Sequence, residues 1–326
     1  MSSPYRSCCV SVTSDMEIRP MQPRDVAEAD RIVRLAFGTF LGVPDPMTVF
    51  GDSDFAHTRF RAAPDCALVA EASGRVVGSN FLTRWGSFGF FGPLTIEPRL
   101  WDRGVAQRLL QPTIQLFDAW GCSHTGLFTF GQSPKHVSLY QRFGFWPRFL
   151  TAVMAKEVTH AEPVAGFVRL ATLQPAEQTA AIAACREATG LLHEGLDVTR
   201  EIEGVRAQAL GDTLISFEGS KVAAFAVCHA GRGTEAGSGA CYVKFACVRP
   251  SADAAAQFER LLCACEALAA SCGASRLIAG VNLSRHEAYR SMLGKGFRTD
   301  LQGVAMHRPN EPGFCRPGIF VIDDWR

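Results

Sequence analysis

Between residues 94 and 110 the chain reads LTIEPRLWDRGVAQRLL. An apolar run stops at Pro98. A polar elbow with Asp102, Arg103 and Gly104 follows, and apolar residues at Val105, Leu109 and Leu110 open a helical period. Such a grouping can seat a phosphate. A helix N-terminus offers unpaired backbone N–H groups and the positive end of the helix dipole. Gly104, without a Cβ, lets the backbone come close to an anion. Val105 and Ala106 keep the first turn compact, and Arg99 and Arg103 add charge. A plain turn is the competing reading of the same residues.

Other residues could move protons. Tyr140 lies in SPKHVSLYQRFGFWP, where Ser133 caps a short helix, Pro134 takes its first position and Gly144 ends it. Tyr140 reads either as an acid or as a packing aromatic on that helix. Glu97 follows the apolar run and reads either as a base working through a water or as a solvated carboxylate. His124 and His136 are further titratable groups near these elements. The twelve cysteines include no two CxxC pairs at zinc spacing, so no metal is expected and most read as small buried hydrophobes. Cys8-Cys9 is the pair most open to oxidation. GRGTEAGSG (231–239) lacks the lysine of a phosphate loop and reads as a hairpin loop.

These residues need strands and helices to hold them. From Met16 the order is strand, helix over DVAEADRIVRLAFGTFL with Asp25 at its cap, short helix, strands at CALVAEA, RVVGSNFLTRW and FGFFGPLTIEP, helix, strand, short helix and strand. Pro112 inside the helix that follows the elbow should bend it or cost a hydrogen bond. THAEPVAG (159–166) breaks the periodicity, and the same order then recurs. One piece of the repeat keeps register: Ile96-Glu97-Pro98 matches Val248-Arg249-Pro250, and Gln107-Arg108-Leu109-Leu110 matches Glu259-Arg260-Leu261-Leu262. The expected organisation is a flexible tail (1–15), a first domain (16–158), a second (167–310) and a C-terminal tail (311–326). The last is read as an edge strand or a lid on the first half, and Asp323 and Asp324 could attract a cationic amine from there. A chain of 326 residues that is 47% apolar is ample for two cores. A net charge of +1 gives no nucleic-acid footprint, and no apolar run is long enough for a membrane span. The first residues lack a basic start before an apolar stretch, so a cytoplasmic protein is expected.

Residues 94–110 resemble the acetyl-CoA signature of the GNAT superfamily of N-acetyltransferases. That signature is an apolar strand ending in proline, then Gln/Arg-x-x-Gly-x-Gly/Ala opening a helix. Here it reads Trp101-Asp102-Arg103-Gly104-Val105-Ala106, with Trp101 in the place of Gln or Arg. The segment containing Leu139, Tyr140, Gly144 and Phe145 is similar to the family's downstream Leu-Tyr-x-x-x-Gly-Phe element. The resemblance implies an α/β (α+β) fold of two tandem GNAT-like domains, each a mixed, mostly antiparallel sheet flanked by helices. It implies that Leu94-Thr95-Ile96 splays from the strand at 125–130, with the pantetheine arm of acetyl-CoA bonded to the backbone in that gap. The N–H groups of Asp102, Arg103, Gly104, Val105, Ala106 and Gln107 would hold the pyrophosphate. A primary amine would attack the thioester directly and Tyr140 would protonate the departing thiolate, with no covalent enzyme intermediate. Phe81, Trp85, Phe88, Phe90 and Phe91 border the expected acceptor side, although alternate residues of a strand must face the core.

The second half departs from this pattern. Ala256 stands at the Gly104 position, Ala255 at the Arg103 position and Met292 at the Tyr140 position, while Asp253 brings negative charge. It resembles a degenerate repeat that supports the first. The expected acceptor is a small-molecule or protein amine, with no nucleic acid or membrane partner and a homodimer left open. The alternative is a non-catalytic acyl-CoA-binding or interaction module.

Overall fold

The computed structural model describes residues 15–159 and 161–326. Cys8-Cys9 and all but the last residue of the expected N-terminal tail lie outside them. The first half runs β1 (Met16–Pro20), α1 (Val26–Leu41), α2 (Ala56–Ala62), β2 (Ala67–Ala72), β3 (Arg75–Trp85), β4 (Phe88–Ile96), α3 (Val105–Ala119), β5 (His124–Thr129), α4 (Pro134–Gln141) and β6 (Trp146–Glu157). The second runs β7 (Phe167–Arg169), α5 (Pro175–Gly190), α6 (Thr199–Gln208), β8 (Gly211–Glu218), β9 (Lys221–Gly231), β10 (Gly237–Val248), α7 (Ala254–Ser271), β11 (Arg276–Asn282), α8 (His286–Gly294), β12 (Arg298–Arg308) and β13 (Val321–Ile322).

Local sequence accounts for most of these elements. α1 buries Val26, Ala29, Ile32, Val33 and Ala36 at helical spacing and stops at Gly42, whose φ of +69° suits a residue without Cβ. Asp25 stands at its N-cap position, but its carboxylate does not cap the helix. It accepts from Arg19 at 2.6 and 3.0 Å and from the Gln22 N–H at 2.8 Å. α3 continues through Pro112 to Ala119, and Val105, Leu109, Leu110, Thr113 and Phe117 form its buried stripe.

The strands form one sheet in the order β1-β2-β3-β4-β5-β12-β6-β11-β10-β9-β8-β7, with β13 added beside β10. Every pairing is antiparallel except β4–β5 and β10–β11. The fold is therefore mixed and mostly antiparallel, but the two halves share a continuous sheet and exchange their last strands. β12 lies against β5 of the first half (Val304↔Thr129 to Arg308↔Thr125), and β6 lies against β11 of the second (Arg276↔Glu157 to Asn282↔Thr151). The exchange pairs the strand edges at the junction of the two halves.

Cores fill both faces. Leu109, Leu110 and Phe117 of α3 and Tyr140 of α4 pack on one face of the first half, and α1 and α2 cover the other. In the second half α7 and α8 cover one face. The other carries α5 and α6 in a core that also takes in Trp85, Phe88 and Phe90 of the first half. Aromatic residues expected near the acceptor therefore weld the halves together instead.

Candidate active site

β4 and β5 pair in parallel only from Phe88↔His124 to Phe91↔Leu127. Beyond this, Gly92 and Pro93 together oppose Phe81 of β3, a bulge that turns β4 away. Leu94, Thr95 and Ile96 stay paired to Asn80, Ser79 and Gly78 on their other side. Their second backbone edge therefore faces a gap, as the splayed strand requires.

The elbow sits at the end of this gap. Gly104 has φ +78° and precedes α3, and a Cβ placed on it would meet nothing within 4 Å. Its backbone conformation, not crowding by the protein, calls for glycine here, and the space before it is open to a ligand. The first intrahelical bond is Arg108 N–H to the Gly104 carbonyl at 3.2 Å. The amides of Gly104 to Gln107 have no helical acceptor by construction. Trp101, the oddity of the motif, donates its indole N–H to the Ile96 carbonyl at 2.9 Å and ties the elbow to the end of β4. It is a donor, but one directed at the protein's own backbone.

A cavity of about 880 Å³ joins these parts. Its walls include Leu94, Thr95, Ile96, Asp102, Gly104, Val105, Ala106 and Gln107 from the strand and elbow, together with Tyr140. Arg103 and Arg99 are exposed and stand outside the lining. Lys135 and Arg142, from α4 and just after it, supply the basic groups there, and Lys135 pairs with Asp102 at 2.5 Å. Sequence spacing did not mark Lys135, because it reaches the elbow only once α4 packs into the same core as α3.

Tyr140 is 8% exposed and meets Phe91 edge-on at 5.8 Å. Burial pushes its phenol well above the ordinary value. Like any phenol it is protonated at neutral pH, and it opens on the cavity. Glu97 is not in the lining. Its carboxylate accepts from Arg99 at 2.9 Å and lies 3.7 Å from Arg31. His124 is likewise elsewhere, buried and 3.0 Å from His307. His136 does line the cavity, against Phe40 at 5.1 Å, and burial lowers its pKa. Of the five aromatics expected near the acceptor, only Phe91 reaches the cavity.

The far wall was not visible in the sequence. It is built from Phe37, Phe50 and Phe55 of the first half, Glu235 from the glycine-rich loop, and Arg326. That loop is pinned to the first half: Asp54 N–H donates to the Thr234 carbonyl at 2.9 Å, and Ser238 N–H to Asp52 at 2.8 Å. Behind the wall Arg59 holds Glu235 at 2.8 and 2.9 Å and donates to the Gly92 carbonyl at 2.5 Å, while Lys244 holds Glu235 at 2.8 Å. These two cations keep the Glu235 carboxyl well below its ordinary range against the opposing effect of burial.

The second half repeats the frame and closes it. β10 and β11 pair in parallel from Ala240↔Arg276 to Val243↔Ala279, the same register as β4–β5 at the repeat's spacing. Where the first half leaves Leu94–Ile96 open, the second pairs Ala246 with Ile322 and Cys247 with Val321, and Val248 N–H donates to the Phe320 carbonyl at 3.0 Å. The chain's own tail fills the slot. Asp323 is then buried against Arg285 at 2.9 and 3.0 Å, and Asp324 accepts from the Tyr242 hydroxyl at 2.8 Å. Neither lines the cavity.

Residues 33–145 match the model of the acetyltransferase (GNAT) family. Comparison with curated sequences gives no match. Among solved structures the chain is similar to a Pyrococcus horikoshii protein assigned to the acetyltransferases, at 16% identity over 90% of this chain and 89% of the other (TM-score 0.64). It is also similar to a GCN5-related N-acetyltransferase from Sphaerobacter thermophilus, at 15% identity over 90% and 95% (TM-score 0.57). A third likeness is to a tandem GNAT protein from the clavulanic acid biosynthesis pathway, at 12% identity over 90% and 98% (TM-score 0.55). At such identities the likeness is one of fold. Among the described residues there is no cluster able to hold a metal and no helix long and apolar enough to cross a membrane.

Proposed function

We propose that this chain, whose residues 33–145 match the acetyltransferase (GNAT) family and whose fold is similar to that of a tandem GNAT protein, is an acetyl-CoA-dependent N-acetyltransferase that acts on a primary amine through the first half alone. The observation that carries this is the single cavity onto which the splayed edge of Leu94–Ile96, the free amides after Gly104 and the buried Tyr140 all open. Acetyl-CoA supplies an activated acyl thioester. The backbone of 94–96 holds its pantetheine arm, and the amides of 104–107 with Lys135 hold its pyrophosphate. Tyr140, a phenol that is protonated at neutral pH and opens on the same cavity, gives its proton to the departing thiolate. The amine attacks the thioester carbonyl directly, with no covalent enzyme intermediate. Glu97, held by Arg99 and Arg31, stands outside the cavity; the proton that the amine loses as the amide forms passes to the Tyr140 phenolate and restores the acid, so that one proton moves in net from amine to thiol. Entry into an apolar chamber disfavours the charged ammonium and delivers the amine in its reactive form.

Tyr140→Phe tests the assignment. Thiol release from acetyl-CoA should fall about a hundredfold or more, while the CoA dissociation constant, measured by calorimetry, stays within about twofold. Undiminished turnover would remove Tyr140 as the acid. A wild-type chain that binds CoA but acetylates nothing in a broad amine library would support the binding-module reading instead.

A further inference from the structure

β4 runs from Phe88 toward the elbow, so the end of the slot farthest from the pyrophosphate seat is Gly92. The groups around Gly92 are therefore those that meet the acceptor. Arg59 bonds the Gly92 carbonyl, the Arg326 carbonyl and Glu235, and its guanidinium lies 5.6 Å from the Phe55 ring centroid. Phe55 meets Phe50 edge-on at 5.1 Å, and Phe50 meets Phe37 at 5.3 Å. All three line the cavity and are only half-buried, so part of each ring is left for a ligand to cover.

The charges here are already spent. Glu235 is shared by Arg59 and Lys244. Asp324, just behind, is held by Tyr242 and by Arg326 at 3.0 Å. At the elbow Asp102 is paired with Lys135. The other ionic side chains of the lining, Arg142 and Arg276, are cations. A polyamine or an amino-sugar carries extra ammonium or hydroxyl groups that need free carboxylates or acceptors once out of water. Around its three rings this chamber offers hydroxyls such as Ser53 and Thr129 for single hydrogen bonds, but its two side-chain carboxylates, Glu235 and Asp102, are both paired.

We propose, resting on the acetyl-transfer reading above, that the acceptor is a monoamine carried on an aromatic body, with Phe37, Phe50 and Phe55 as its specificity wall. An aryl ring gains both apolar burial and edge contacts there. The paired Glu235 leaves no counter-ion for a second positive charge.

The test uses the full chain with acetyl-CoA, reads thiol release with phenethylamine, spermidine and glucosamine, and measures CoA binding separately. We expect kcat/KM for phenethylamine to exceed the other two by about tenfold or more. Phe50→Ala should raise KM for phenethylamine by about tenfold and lower kcat far less, as loss of one aromatic contact and its burial requires. Phe55→Ala, on a different element, should do the same and serves if the first variant folds poorly. A preference for spermidine or glucosamine, or an unchanged KM in both variants, overturns this inference and leaves the acetyl-transfer reading standing. Release with none of the three overturns it as well. Failure to bind CoA would sink the acetyl-transfer reading itself.

Discussion

Acidification should loosen this molecule through three buried histidines. His124 and His307 sit 3.0 Å apart where β5 of the first half meets β12 of the second, stacked on Phe88 and packed against Trp325 respectively. His229 lies behind Glu235, with neither ring nitrogen partnered among the described residues. Burial lowers His124 to about 4, with His193 adding to the effect, and lowers His307 to about 3, with His124 adding to it. Burial also lowers His229 to about 4, with Lys244 and Arg59 adding and Glu235 opposing. Above pH 6.5, about where an unfolded histidine titrates, these groups are neutral in both states and cost nothing. Below it the unfolded chain takes up protons that the folded one refuses, so stability falls until the folded values near 4 and 3 are passed. Integrated from pH 7.5 to pH 5, each histidine costs about 2 kcal/mol and the three about 6 kcal/mol, a large part of a total of about 5–15 kcal/mol. Asp323, whose carboxyl burial raises despite Arg285, works in the opposite direction. The assay is urea unfolding at pH 7.5 and pH 5 for the wild type and for His229→Asn. The variant's loss on acidification should be smaller by about 2 kcal/mol. An equal loss in both proteins would refute the reasoning, because His229 would then titrate alike folded and unfolded.

Three further outcomes follow from the geometry. Gly104→Asp puts a side chain on a residue at φ +78° and a negative charge at the pyrophosphate seat; CoA binding should be lost with the melting temperature little changed, and normal binding would place the cofactor elsewhere. Trp101→Phe removes the indole bond to the Ile96 carbonyl; a loss of about 1 kcal/mol should weaken CoA binding about fivefold, read by calorimetry. Gly86→Ala forces a Cβ to 2.1 Å from the Gly195 carbonyl, at φ +64°; the chain should lose about 1–3 kcal/mol in urea unfolding, and an unchanged midpoint would show that the contact between the halves is loose.

The sequence by itself was legible where chemistry is local. Gly104, the Pro98 stop and the apolar period of α3 specify a strand, an elbow and a helix without outside help, because backbone conformation and helix-end donors are set by neighbours in the chain. The repeat, too, could be read from Ile96 and Val248 onward, and its parallel pairs keep that register. Pro112 should bend α3 or cost it a hydrogen bond, and α3 runs on through it to Ala119; burial of Leu109, Leu110, Thr113 and Phe117 on either side holds the helix against the one missing donor.

Only the tertiary structure decided the rest. That β6 and β12 change places depends on strand edges meeting hundreds of atoms away, which no local pattern records. Whether Lys135 or Arg103 serves the elbow depends on where α4 packs. The fate of the second slot depends on Val321 and Ile322, some seventy positions beyond the strand they join, and hydrogen bonds between backbones carry little side-chain signature. The same holds for the wall proposed to meet the acceptor, where Phe50 and Arg59, Glu235, and Arg326 come from three distant stretches. The elbow proposed as the cofactor's seat is legible in the sequence because a single turn builds it, whereas the chamber proposed for the acceptor is assembled from both halves and exists only once they have folded together.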